Sequence, residues 1–145
     1  MNSSELEQAL YQHPATRQLF EGVYPRDCLP KDVKYPSGII CNTDPASQPG
    51  EHWICIYVDH YGVGEYFDSF GLPPLFKEFK KYLTEYCVSW TFNDKTIQSI
   101  TSNVCGLYCM YYLIMRSKGF TMRELMKVFS DDCVSNDRIV VELFK

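Results

Sequence analysis

The stretch from Cys105 to Lys118, Cys-Gly-Leu-Tyr-Cys-Met-Tyr-Tyr-Leu-Ile-Met-Arg-Ser-Lys, constrains this chain more than any other part of it. It is strongly apolar, lacks the broad polar face of a surface helix, and ends at Gly119, a residue suited to a helix C-terminus. It reads as a buried helix that the remainder of the chain has to cover. With 145 residues, 46% of them apolar and 15% aromatic, the chain can do so as one domain spanning 1–145 around a single core.

The covering elements follow from local pattern. Ser4-Glu5-Leu6-Glu7 has the form of a capping box, followed by Ala9 and Leu10 and stopped by Pro14, which predicts a short N-terminal helix. From Phe20 to Pro36, Pro, Gly and Asp predict an ordered loop. Gly38 to Asn42 reads as a buried strand and Thr43 to Gly50 as a polar turn. His52 to Val58 is β-branched and aromatic, Asp59 to Gly62 supplies turn residues, and Val63 to Phe70 resumes as a strand, together a β-hairpin. Pro73-Pro74 is expected to open a helix with Leu75, Phe76, Phe79, Tyr82 and Leu83 on one side. Residues 87–92 and 95–100 are two further expected strands. Thr121-Met122-Arg123-Glu124 is a second capping box, heading a helix with Leu125, Met126 and Phe129 inward, and a last short helix is expected near Ser135-Asn136. No internal repeat or linker interrupts the sequence.

Fourteen basic against eighteen acidic residues give a formal charge of −4, with no bulk attraction for nucleic acid. Lys77, Lys80 and Lys81 read as the wet face of a helix. The start of the chain lacks the pattern of a signal peptide, and no apolar run approaches the ~18 residues needed to span a bilayer, so a soluble, intracellular protein is expected. The seven cysteines are odd in number, without an export signal, and read as reduced thiols. No C-x-x-C pair is present, and no metal site is expected.

The hairpin and the apolar helix place three chemically active groups near one another. A turn centred on residues 60–62 sets His52 opposite residues 68 to 70, and so beside Asp68. Asp59 is nearer in sequence, but about seven residues along the strand is roughly 23 Å at ~3.3 Å per residue, too far to serve the same site. Asp68 can therefore fix the imidazole tautomer and support its positive charge. Read alone, the two could equally be polar residues at strand ends. Cys105 stands where the polar loop Ser102-Asn103-Val104 enters the apolar helix, so its sulfur meets unpaired N–H groups and the positive end of the helix dipole. Those groups favour a thiolate, and they can also stabilise the oxyanion formed when sulfur attacks a carbonyl, with Gly106 leaving room for substrate. Gln98, seven residues upstream, is a candidate amide donor to that oxyanion. A buried structural thiol is the alternative reading of Cys105; Cys109, one turn deeper, reads as structural.

Asn42-Thr43, His52-Trp53, Phe67-Asp68-Ser69-Phe70-Gly71, Gln98 and Cys105-Gly106-Leu107-Tyr108-Cys109, in this order and spacing, resemble the adenovirus-type cysteine endopeptidases, including those of virophages and Maverick/Polinton elements. The resemblance covers roughly residues 20 to 115. It implies an α+β fold of the papain-like superfamily with permuted chain order, a small, mostly antiparallel sheet packed on the central helix that starts at the catalytic cysteine. It implies Cys105 as nucleophile, His52 as general base, Asp68 in place of the family's glutamate, and Gln98 with the Cys105 N–H as the oxyanion hole. It further implies a thiol protease of viral maturation acting next to glycine on capsid or core precursor proteins, in the virion or at the site of viral assembly. Cys87 stands where a disulfide-linked activating peptide would attach in the adenoviral enzyme; no other cofactor is implied. The acidic balance and the short C-terminal part depart from the adenoviral pattern, and DNA activation is not expected. The competing functions are an isopeptidase for a SUMO- or ubiquitin-like modifier, and an acyltransferase or an inactive binding module on the same fold.

Overall fold

The computed structural model describes residues 1–48 and 52–145; the end of the polar turn expected over Thr43–Gly50 lies outside the described residues. The hairpin forms as β3 (Trp53–Val58) and β4 (Val63–Phe67), paired antiparallel with Cys55 opposite Phe67 and Ile56 opposite Tyr66. Asp59 closes its turn, accepting hydrogen bonds from the N–H groups of Tyr61 and Val63, each at 2.9 Å. The buried strand expected at Gly38–Asn42 is β2 (Ser37–Asn42), antiparallel to β3.

Two further strands complete a five-stranded sheet, ordered as in the sequence. β1 (Phe20–Pro25) pairs parallel with β2, and β5 (Ser89–Phe92) pairs parallel with β4. The sheet is thus antiparallel at its centre and parallel at both edges. β1 corrects the loop expected from Phe20 to Pro36. Gly22, at φ 123°, and Pro25 gave that segment its loop-like composition, whereas its pairing is with residues 17 to 18 positions away. The strand expected over 95–100 is absent. The N–H groups of Ile97 and Gln98 donate instead to the carbonyl of Ser69, at 2.9 and 3.1 Å, so the segment is a loop laid over the end of β4.

The apolar stretch is α3 (Cys105–Ser117), packed on β3, with Tyr108, Cys109, Tyr112 and Leu113 wholly buried and Gly119 at φ 98° just beyond its end. Around it stand α1 (Ser3–Gln12), α4 (Met122–Lys127) and α5 (Cys133–Leu143). The Thr121–Glu124 capping box heads α4 as expected. In α1 the box is Asn2 with Glu5 rather than Ser4 with Glu7, two residues earlier. α5 begins two residues before Ser135, at an Asp132 cap. The other sheet face carries α2 (Lys77–Tyr86), whose Phe79, Tyr82 and Leu83 meet Ile39, Ile54, Ile56 and Val58. Pro73-Pro74 does not open this helix: it starts four residues later, with Phe76 as its cap and Leu75 exposed. Lys77, Lys80 and Lys81 face solvent.

One buried polar cluster fastens α3 to the sheet. Arg116 grips Glu65 of β4 through Nε (2.8 Å) and Nη2 (3.0 Å), and the Tyr112 hydroxyl donates to the same carboxylate. The Arg116 guanidinium also lies 4.6 Å over the Tyr57 ring.

Candidate active site

Three elements deliver the side chains. His52 immediately precedes β3, Asp68 immediately follows β4, and Cys105 is the first residue of α3, which packs on β3 between them. His52 Nε2 and Asp68 Oδ1 are 2.8 Å apart. The ring of Phe70 stacks on the imidazole at 4.7 Å and 25°, so the residue facing His52 across the hairpin is a platform while Asp68 reaches it from the diagonal. With Nε2 engaged, Nδ1 is the nitrogen left to serve the Cys105 thiol. Asp59, at the hairpin turn, takes no part.

The two ionisable groups shift towards each other. Burial alone would hold the imidazolium down, but its donation to Asp68 and its pairing with Cys105 outweigh burial and push His52 up to about 9. Burial would likewise raise the Cys105 thiol. The hydrogen bond from His52, the Trp53 N–H, the imidazolium charge and the Gly106 N–H outweigh it, and the thiol titrates below its ordinary value of 9.0. The cap of α3, Val104, makes no side-chain hydrogen bond, and while the Leu107 N–H turns back to the Val104 carbonyl at 3.1 Å, the Cys105 and Gly106 N–H groups are left to the sulfur and to whatever binds beside it. A thiolate facing an imidazolium is the state that these contacts favour.

Gln98 is buried in the loop that leads towards α3. Ser69 Oγ donates to its Oε1, and its Nε2 donates to the carbonyl (3.2 Å) and hydroxyl (3.1 Å) of Ser102. The amide is therefore orientated, with its donor end towards the segment just before Cys105. The preceding residue is fixed as well, because the Ile97 carbonyl accepts from the Tyr108 hydroxyl and Asn136 Nδ2.

Gly106 is the second residue of α3, facing Leu6 and Trp53. A Cβ there would lie 3.4 Å from Leu6 Cδ2 and 3.5 Å from Trp53 Cδ1, ordinary van der Waals contact, so neither α1 nor β3 demands a glycine at this position. Cys109 is fully buried, and burial pushes its thiol well up, as a structural thiol should be. Cys87 ends α2 against Gly64, towards the hairpin turn and away from Asp68. Burial, followed by the charge of Asp59, pushes its thiol up to about 11. All seven cysteines are free thiols.

Two residues that the sequence did not single out belong to this arrangement, Ser69 and Asn93. Asp68 and Ser69 form a corner at the end of β4, and Gly71 closes it. The Gly71 N–H donates to the Asp68 carbonyl at 2.8 Å, and at φ 73° a Cβ on Gly71 would fall 2.6 Å from the backbone of Lys95. Beside His52 lies a pocket of about 170 Å³, walled by Thr43, Tyr66, Phe70, Leu72, Leu75 and Phe76.

A mixed sheet with histidine and acid at the ends of neighbouring strands, packed on a helix that starts at a later cysteine, is the papain-like cysteine-protease fold in permuted order. Solved structures bear this out. The chain is similar to the ASFV pS273R protease, with TM-score 0.56 and 19% identity over 83% of this chain and 58% of that one. It is also similar to ChlaDub1 from Chlamydia trachomatis, with TM-score 0.54 and 18% identity over 75% of this chain and 57% of that one. In both comparisons this chain spans less than two thirds of the other protein's length. No protein-family model matches the sequence, and no curated protein matches it significantly. No helix among the described residues is long and apolar enough to cross a membrane.

Proposed function

We propose that the protein is a cysteine endopeptidase that cleaves polypeptides through a thioester on Cys105. The observation that carries this reading is the meeting of Cys105, at an uncapped helix start, with a His52 held by Asp68 at 2.8 Å. In the proposed cycle the Cys105 thiolate attacks a peptide carbonyl. The resulting oxyanion is held by the Cys105 N–H and the Gln98 amide, and protonated His52 gives its proton through Nδ1 to the leaving amine. Water, deprotonated by the now neutral imidazole, then attacks the thioester; sulfur leaves as thiolate, a carboxylic acid is released, and His52 is again protonated. Asp68 keeps the ring in the required tautomer and supports its charge in both half-reactions.

The order and spacing of the adenovirus-type motifs support a finer reading: cleavage beside glycine in capsid or core precursors of a virus or virus-like element, during maturation in the virion or at the site of assembly. An activating peptide disulfide-linked to Cys87 belongs to the same reading, and the raised pKa of that thiol makes its exchange slow at neutral pH.

The test is incubation of the protein with candidate capsid precursors and, in parallel, with conjugates of SUMO- and ubiquitin-like modifiers, mapping every cut by mass spectrometry. Cuts after glycine in a precursor, abolished in Cys105→Ala, are expected. Cuts confined to the modifier conjugates would replace the maturation reading by isopeptidase activity. No Cys105-dependent cleavage of either would overturn the protease itself.

A further inference from the structure

Aspartate has one methylene fewer than glutamate and only two side-chain torsions, so where its carboxylate can reach is set almost wholly by where its backbone lies. Asp68 is the first residue past β4, beyond the last rung of the β4–β5 ladder at Tyr66 and Phe92. Its peptide groups would therefore lack a partner on the β5 side. Asn93, the residue after β5 and 2% exposed, supplies both missing bonds from its side chain. Its Oδ1 accepts from the Asp68 N–H at 2.9 Å, and its Nδ2 donates to the Asp68 carbonyl at 2.6 Å. The carboxylate so placed takes the Phe70 N–H and His52 Nε2, both at 2.8 Å on Oδ1.

We propose that Asn93 is a positioning residue for the active site: its amide clamps both peptide groups of Asp68 and thereby sets the distance between the carboxylate and the imidazole. The inference rests on Cys105, His52 and Asp68 working together as proposed above. The Asn93 side chain bonds Asp68 and, at 3.4 Å, the Lys95 carbonyl, and makes no hydrogen bond to His52 or Cys105, so it acts on the site through Asp68. The titratable groups facing His52 are Asp68 from the end of β4 and Cys105 from α3, and Asp68 is faced in turn by Tyr66 and Cys109. A neutral asparagine changes none of these charges. Its loss acts by letting the Asp68 backbone drift, which weakens the His52 hydrogen bond and with it the thiolate.

The readout is the rate of alkylation of Cys105 by iodoacetamide as a function of pH, on the full chain, with the modified residue located by mass spectrometry. It needs no substrate. Wild type, His52→Ala, Asp68→Ala, Asn93→Ala and the Asp68→Ala/Asn93→Ala double variant are compared. Leu125→Ala serves as a control that loses stability away from the site. The midpoint of the Asn93→Ala profile is expected to move up by about half to one pH unit, towards that of Asp68→Ala, the size expected from weakening one charge-assisted hydrogen bond. Leu125→Ala should leave the midpoint in place, and the double variant should match Asp68→Ala. Should Asn93→Ala not fold, Asn93→Ser, which cannot make both bonds with one short hydroxyl, carries the same comparison. A wild-type midpoint in the Asn93 variant, or an equal further rise in the Asp68→Ala background, would overturn the inference while leaving the His52 pairing intact. A wild-type profile identical to that of His52→Ala would remove the pairing, and the inference with it.

Discussion

At Cys105 two opposed effects compete, and the outcome sets a pH window. Burial disfavours the thiolate, while the imidazolium and the Trp53 and Gly106 N–H groups favour it more. The thiolate–imidazolium pair therefore forms as pH rises through the lowered thiol value and is lost as pH passes about 9, where His52 gives up its proton. Peptide cleavage should follow a bell whose falling limb lies near pH 9. Iodoacetamide reactivity at Cys105 should begin at lower pH in wild type than in His52→Ala, whose thiol returns towards or above 9.0. An unchanged alkylation profile would exclude His52 from the site. Gln98 allows a different kind of test, because its orientation depends on a second residue. With Ser69 Oγ on Oε1, the amide turns its nitrogen to Ser102, three residues before Cys105; reversed, it would turn an oxygen to that side. Gln98→Ala should lower kcat by about 10²–10³ with little change in KM, on the scale of one lost oxyanion donor. Ser69→Ala should lower kcat in wild type and have no further effect once Gln98 is alanine. Additive losses would show that Ser69 acts by another route.

Among the elements, the seam between β4 and α3 is the most exacting. Glu65 and Arg116 are each nearly buried, with 11% and 12% of their side chains exposed, and the carboxylate also takes the Tyr112 hydroxyl. Removing one partner strands the other in the core. Glu65→Ala should cost about 3–5 kcal/mol of unfolding free energy in urea titration, and pairing it with Arg116→Met should recover much of that. A loss below about 1 kcal/mol would mean that water reaches the guanidinium. This seam also shows why parts of the fold were legible in the sequence and others were not. The hairpin, β2 and α3 announce themselves through local composition and periodicity, and hairpin register was enough to choose Asp68 over Asp59. β5 forms within the strand expected over 87–92, whereas β1 depends on parallel pairing with β2 and was hidden by its own glycine and proline. Segment 95–100 has strand-like composition, yet spends its N–H groups on Ser69. The same reasoning applies to the site. Cys105, His52, Asp68 and Gln98 each carry a local signal, whereas Asn93 and Ser69 act across 25 and 29 residues through bonds from a side chain to a backbone or to another side chain. Nothing in the neighbouring sequence marks such a bond.

For the whole molecule, the arrangement is a sheet covered on both faces, with the proposed chemistry at one end of the seam between β3 and α3. The chain shares its fold with two longer solved proteins while covering 58% and 57% of them. The packing of the sheet against its helices places thiols at graded depths. Cys28 is exposed, Cys87 and Cys133 are half-buried, and Cys41, Cys55 and Cys109 have no exposed surface. The three deepest lie on β2, β3 and α3, across both faces of the sheet. The chain thus carries its own clock for opening. In a Cys105→Ala background, a small thiol reagent should label Cys28 within its ordinary reaction time. Cys41, Cys55 and Cys109 should react only as fast as the sheet parts from its helices, with one shared rate that rises together in denaturant. Three separate rates would show that the two faces open independently.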